Sequence, residues 1–163
     1  PEIAAGRRSS TGASLLDIAP TAAQVFGAKD FAADLPGQSL VSLANAHDDR
    51  DRTVISEYHD GGSTTGFYMV RWGDWKYVYY AGRPAQLFNL AADPNETNDL
   101  GRADSGEALA ARAEGKRRLR EICDPEAVNV QAFADQRRRI DAMGGREACA
   151  AIKFNHTPAP SPT

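Results

Sequence analysis

Cysteine is scarce in this chain of 163 residues, which contains only Cys123 and Cys149. Two cysteines do not make a disulfide framework, so we expect both to be thiols. Long apolar runs are also missing, since no stretch approaches the ~20 apolar residues that a membrane-spanning helix needs. The formal net charge of −3 lacks the basic excess of nucleic-acid-binding proteins. These absences argue against a disulfide-rich module, a membrane protein and a nucleic-acid binder.

The amino terminus is uninformative about cellular location. The chain starts with Pro1 rather than Met, as expected of a fragment, a processed product or an incomplete gene. Its first residues lack the apolar segment of ~7–15 residues that a secretory signal peptide requires. We expect a soluble protein, and both the bacterial cytoplasm and the periplasm remain open.

The middle of the chain is rich in β-branched and aromatic residues, which favour strands. We predict four strands in residues 53–59, 67–72, 75–80 and 86–90. Gly73 and Asp74 separate the second strand from the third, and a two-residue Gly-Asp link is typical of a β-hairpin. The order predicts an antiparallel four-stranded meander with one face packed on a helix. The helix expected in residues 14–27 is the simplest candidate for that packing.

Helical patterns flank the predicted sheet. In residues 14–27, we expect Asp17 to cap the helix, and Leu16, Ala23 and Phe26 to lie on one face. After the sheet we predict helices at about 105–122, 125–143 and 146–152, and then an extended Pro/Ser/Thr-rich tail. Gly115 weakens the first of these helices by ~1 kcal/mol. The fold class is therefore α+β.

Basic clusters at 116–118 and 137–139 lie inside these helical patterns. Acidic residues alternate with them at helical spacing, so we interpret both clusters as solvated faces with ion pairs between successive turns. The charged stretch 47–52 is interpreted as an exposed turn.

Candidate functional residues lie where the first strand ends. Glu57 and His59 are two residues apart and therefore share a face of that strand. The glycine-rich loop 61–66 follows, and Ser63 in it could donate a hydroxyl to an anionic ligand. The alternative is structural: His59 pairs with Glu57 or Asp60, and Ser63 satisfies the turn backbone. His47 and His156 have no neighbours at metal-ligand spacing.

Five motifs resemble the sulfatase branch of the alkaline-phosphatase-like superfamily, specifically its carboxyl-terminal part. That branch includes choline sulfatases, arylsulfatases and phosphonate monoester hydrolases. The motifs occur in the family's order at residues 14–21 (SLLDIAPT), 35–40 (LPGQSL), 54–59 (VISEYH), 69–77 (MVRWGDWKY) and 86–100 (QLFNLAADPNETNDL).

The resemblance implies a metal-dependent sulfuric ester hydrolase. In this family a Cys or Ser of a Cys/Ser-x-Pro-x-Arg motif matures to formylglycine, and a divalent cation, expected to be Ca²⁺, orients the sulfate. Residues 123–127 (CDPEA) have Cys123 and Pro125 correctly spaced, but Ala127 replaces the arginine. They also lie near the end of the chain, so we interpret them as a helix start. No catalytic residue or metal ligand is predicted here, and the cation would bind to a missing amino-terminal part.

The resemblance also implies a domain organisation. Residues 1–27 would be the last helical segment of a large catalytic domain, and residues 28–104 a small antiparallel-sheet subdomain. A helical extension would follow at 105–152, and a flexible tail at 153–163. His59, Glu57 and Ser63 would then contact the substrate, a small sulfate ester.

The expected partner is therefore the missing catalytic domain, with a second copy of the chain as a further candidate and neither nucleic acid nor membrane. By themselves these residues are predicted to be inactive. Three alternatives stay open: a non-catalytic binding or oligomerisation module, part of a phosphonate or phosphate monoester hydrolase, and an inactive product of a truncated gene.

Overall fold

The computed structural model describes residues 3–28, 34–59 and 63–152. The described chain contains five α-helices and four strands. The helices are α1 (Ile18–Val25), α2 (Leu40–Asn45), α3 (Gly106–Ile122), α4 (Pro125–Ala142) and α5 (Arg146–Ala151). The strands are β1 (Val54–Tyr58), β2 (Phe67–Trp72), β3 (Trp75–Tyr80) and β4 (Gln86–Asn89). A single 3₁₀ turn, Leu15–Asp17, precedes α1.

The four strands form one antiparallel sheet in the order β1-β2-β3-β4. The predicted meander is therefore confirmed, as is the α+β class. Trp72 pairs with Trp75 across the β2–β3 hairpin, and Gly73 has a φ of 48°, a conformation that glycine adopts without steric cost. Tyr68, Val70 and Trp72 alternate along β2 as buried residues on one face.

The helix that packs on this sheet is α3. It contacts β2, β3 and β4, whereas α1 contacts the 3₁₀ turn and α2. The expectation that the 14–27 helix covers the sheet is therefore wrong. The buried face of α3 consists of the small residues Ala108, Ala111 and Gly115, together with Arg118 and Leu119. Small side chains allow the helix backbone to approach the bulky Trp72 and Tyr77 closely. Apolar periodicity, which depends on large side chains, therefore does not identify α3 as the helix that covers the sheet.

The start of the first helical segment differs in detail from the prediction. Ser14 accepts from the Leu16 N–H and Asp17 accepts from the Ser14 N–H, which together form a capping box. Asp17 and Ala23 are buried, but Leu16 is 47% and Phe26 is 84% exposed. The predicted apolar face is therefore not a core face, because no described element covers Leu16 and Phe26.

The basic cluster 116–118 contains one residue that is buried rather than solvated as predicted. Arg117 is exposed and pairs with Glu114 and Glu121 on its own helix, as predicted. Arg118 is only 9% exposed, and its Nη1 donates to the Asp51 carbonyl at 2.7 Å and to Thr53 Oγ1 at 2.8 Å. Its guanidinium also lies 5.3 Å from the Trp72 ring centroid. Arg118 therefore ties α3 to the segment that leads into β1.

The chain divides into two compact units, Pro1–Pro125 and Glu126–Thr163. The first contains the sheet and α3. The second contains most of α4, followed by α5, and Gly144 and Gly145 both have positive φ between these helices. The domain limits expected from the resemblance stay predictions. In the described ranges, no helix has the length and apolar character required to cross a bilayer.

Candidate functional site

The end of β1 brings Glu57 and His59 beside a buried tyrosine. Glu57 is the cross-strand partner of Tyr68, and the His59 ring meets the Tyr68 ring edge-on with centroids 5.1 Å apart. Tyr68 is fully buried, and its hydroxyl donates to the Pro125 carbonyl at 3.1 Å. Because the tyrosine is fixed at both ends, it gives the imidazole a rigid support.

The predicted pairing of His59 with Glu57 is present as a long contact. His59 Nε2 lies 3.8 Å from Glu57 Oε2, which exceeds hydrogen-bond distance. The carboxylate is 57% exposed and the imidazole 22% exposed. The carboxylate is therefore open to solvent, whereas the Nε2 atom of His59 that faces it is buried.

Ser63 lies in a turn that its own hydroxyl stabilises. Ser63 Oγ donates to the Thr65 carbonyl at 2.5 Å, and Thr65 Oγ1 donates to the Ala81 carbonyl at 2.7 Å. Arg83 donates to Thr64 Oγ1 at 3.1 Å. This geometry agrees with the structural alternative for Ser63, and its contact with substrate stays a prediction. Part of the loop 61–66, and Asp60, lie outside the described residues, as does His156.

A second polar region lies at the opposite end of β1 and was not anticipated. A cleft of about 440 Å³ is lined by the segment Ser9–Ala13, by three arginines and by the β2–β3 hairpin. The arginines are Arg50, Arg52 and Arg71. The composition of residues 47–52 predicts an exposed turn, because the partners that order these residues are distant in sequence.

One of these arginines, Arg52, forms a buried ion pair with Asp17. Its Nη2 and Nη1 donate to the two carboxylate oxygens at 2.7 and 2.9 Å, and Nη1 also donates to the Gly12 carbonyl. Burial raises the pKa of Asp17, but the bonds from Arg52 and from the Gln38 and Ser14 N–H groups outweigh it and lower the pKa to about 2. The ion pair is therefore charged at every physiological pH.

Asp48 holds the wall of the cleft in place. Its carboxylate accepts from the Ser10 N–H, the Ser10 hydroxyl and the Ser9 hydroxyl, each at 2.8 Å. These hydrogen bonds lower the pKa of Asp48 to about 2. The segment 9–10 is thus fixed to residue 48, 38 positions later in the chain.

A metal site needs several His, Cys, Asp or Glu side chains close together. In the ranges 3–28, 34–59 and 63–152 no cluster of three or more His, Cys, Asp or Glu side chains could hold an ion. Cys123 follows the last residue of α3 and Pro125 begins α4, so residues 123–127 form a helix junction.

Comparison with known proteins adds the decisive observation. The chain is 35% identical over 151 residues to the choline-sulfatase of Rhizobium meliloti (strain 1021), a match that covers 91% of the chain. It is 29% identical over 152 residues to arylsulfatase K of Xenopus laevis. The chain belongs to the sulfatase family. It spans 29% of the length of that choline-sulfatase and 27% of that arylsulfatase K.

Solved structures show the same fold for this sulfatase-family chain. A putative sulfatase from Bacteroides fragilis superposes with a TM-score of 0.62 at 17% identity, covering 78% of this chain and 29% of that one. A structure in complex with D-glucosamine-2-N,6-O-disulfate gives a TM-score of 0.55 at 23% identity, with 76% and 28% covered. No protein-family model matches the chain. The resemblance deduced from the five motifs, and the carboxyl-terminal sulfatase fold that it implied, are confirmed.

Proposed function

We propose that this chain is the carboxyl-terminal part of a sulfatase-type enzyme that hydrolyses sulfate monoesters. The observation that carries the proposal is the 35% identity to a choline-sulfatase across 91% of the chain. The chain spans less than a third of that relative, so in this proposal the nucleophile and the ligands of a divalent cation, expected to be Ca²⁺, lie in a separate amino-terminal part. That cation would orient and polarise the sulfate group.

The first helical segment supports the presence of a further domain. Its large apolar side chains are exposed, with Leu15 and Phe26 each at 84% and Val25 at 64%. Contiguous exposed apolar patches are typical of surfaces that bind another protein or domain. We propose that a large catalytic domain covers these side chains, with residues 1–27 as its last helical segment.

The role proposed for this chain is to form one wall of the substrate cleft and to select the substrate. His59 is the main candidate, because its ring is held by the buried Tyr68 and yet remains partly open to solvent. The exposed part of the imidazole could contact a substrate oxygen, and Glu57 could orient the ring or attract a cationic substrate group. Ser63 and the loop 61–66 would form the neighbouring wall.

The first experiment tests where activity resides. The purified 163-residue chain is expected to release no sulfate from an aryl sulfate, choline sulfate or a sulfated monosaccharide. The complete protein that contains the chain is expected to turn over at least one of them, and to lose activity with EDTA. Turnover by the chain alone would contradict the proposal, and so would an inactive complete protein. Preference for a phosphonate monoester would instead favour that branch of the family.

The second experiment tests His59 in the complete protein. His59→Ala is expected to lower kcat/KM by about tenfold or more, the typical cost of losing a hydrogen bond to a charged group. His47→Ala is the matched control, because His47 is an exposed histidine in the turn before Arg50. Equal kcat/KM values for both variants and the parent, across the panel, would remove His59 from the site.

A further inference from the structure

The arginine-lined cleft at the Val54 end of β1 is separate from the His59 region. At ~3.3 Å per residue, Val54 and Tyr58 are about 13 Å apart along the strand. We propose that this cleft binds a tetrahedral oxyanion, a sulfate group either free or carried by a larger molecule. The proposal concerns binding alone and does not depend on the ester hydrolysis proposed above.

Charge is the first argument. Three guanidinium groups line the cleft, and the carboxylate among the lining residues, Asp74, pairs with Arg50. Arg52 is neutralised by Asp17. Arg71 is exposed, and in the ranges that the structure describes it has no ion-pair partner. The cleft therefore keeps one uncompensated positive charge beside two arginines whose positions are already fixed.

The position of Arg71 in the sheet is the second argument. Its cross-strand partner on β3 is Lys76, and like charges directly opposite each other destabilise a sheet. Lys76 is compensated by Glu96, with Nζ and Oε2 2.6 Å apart. An anion bound at Arg71 would compensate the other member of this pair, which gives a physical reason for placing an arginine there.

The third argument is that the cleft is already ordered. The Gly73 N–H donates to the Arg50 carbonyl at 2.6 Å, which joins the hairpin to the segment before β1. Arg52 donates to the Gly12 carbonyl, and Asp48 fixes Ser9 and Ser10. Because these contacts join all three walls, an anion would not have to order them. Guanidinium N–H groups are also donors that suit a tetrahedral oxyanion.

The test is a nuclear magnetic resonance titration of the ¹⁵N-labelled chain with sodium sulfate, at constant ionic strength maintained with sodium chloride. Saturable shifts are expected for the amides of residues 9–13 and 71–74. Arg71→Gln is expected to weaken binding by about tenfold, the usual effect of losing a charge-assisted hydrogen bond. Arg71→Lys keeps the positive charge but loses the two parallel N–H donors of the guanidinium, and it should weaken sulfate binding less than Arg71→Gln does. The control Arg139→Gln removes the same charge from an exposed position of α4 and should bind like the parent.

Methyl sulfate serves as the second ligand. Saturable binding of both ligands would mean that the cleft accepts a sulfate group carried by a larger molecule, and binding of sulfate alone would mean that it takes the free ion. Shifts that grow linearly without saturation, or that appear outside the cleft, would overturn the proposal. So would equal weakening in Arg71→Gln and Arg139→Gln, because nonspecific charge attraction would then explain the binding.

Discussion

Replacing Gly115 by alanine tests whether α3 packs on the sheet at the observed distance. A Cβ atom at residue 115 would lie 2.6 Å from Cβ and Cγ of Tyr77 and 3.0 Å from the Trp72 ring. The Tyr77 atoms lie next to the strand backbone and cannot swing away like the end of a flexible side chain. Relief therefore requires α3 and β3 to separate, and overpacking of this kind costs ~1–3 kcal/mol.

The helix propensity of alanine opposes this cost. Glycine inside a helix is ~1 kcal/mol less favourable than alanine, so Gly115→Ala would be stabilising if residue 115 were exposed. With the overpacking at the upper end of its range, the net loss is about 2 kcal/mol, or roughly 4–8 °C in Tm for a chain of this length. Urea denaturation and thermal melting followed by circular dichroism measure both quantities.

Gly106 supplies the matched control, because it belongs to the same helix and a Cβ atom there would meet nothing within 4 Å. Gly106→Ala should be neutral or raise stability by a few tenths of a kcal/mol. Opposite signs for the two variants support the packing of α3 against Tyr77 and Trp72. If Gly115→Ala were as stable as Gly106→Ala, the close contact between α3 and β3 would be refuted.

Two further predictions concern buried charge. The pKa of Asp17 is lowered from 3.8 to about 2, so the ionised carboxylate contributes about 2 kcal/mol to the free energy of unfolding above pH 4, and this contribution is lost as the pH falls to 2. Denaturation at several pH values should show this loss. The variant Asp17→Asn should be less stable at neutral pH and should not show the loss. Arg118→Ala should cost ~1–3 kcal/mol, because it removes a buried guanidinium and leaves the Asp51 carbonyl and the Thr53 hydroxyl without its hydrogen bonds. Arg117→Ala, at the adjacent exposed position, should cost less than ~1 kcal/mol; similar losses for both arginines would contradict the burial of Arg118.

The sheet could be predicted almost residue by residue because its signals are local. Alternation along 67–72 and 75–80 and the two-residue Gly73–Asp74 link define a hairpin without information from elsewhere in the chain. The strand limits differ from the prediction by at most one residue at each end. The positions of Glu57 and His59 on one face follow from the same period of two.

The packing of the helices could not be predicted in the same way. Apolar periodicity selects large side chains such as Leu109, which is 44% exposed, whereas the buried face of α3 is built from Ala108, Ala111 and Gly115. These residues are buried because the opposite surface is bulky, a property of Trp72 and Tyr77 rather than of the helix. The apolar period of a helix therefore does not reveal the shape of the sheet surface on which the helix packs.

The arginine-lined cleft escaped prediction for a related reason. Arg52 bonds Asp17, 35 residues earlier, and Asp48 bonds Ser10, 38 residues earlier. In the linear sequence these residues are ordinary members of hydrophilic stretches. Only the fold brings their charges together, so a composition-based interpretation of 47–52 as a solvated turn cannot distinguish a paired arginine from a free one.

The order of the sheet has a consequence for how the chain acquires its structure. Each strand pairs with the next one in sequence, and α3 follows β4 before it folds back on the sheet. Closing short loops costs little chain entropy, and topologies dominated by local contacts fold quickly. During synthesis, β1 to β4 could therefore assemble as each emerges from the ribosome, and α3 would complete the core last. Formation of the sheet therefore waits for no distant segment of the polypeptide, whereas burial of its face waits for α3.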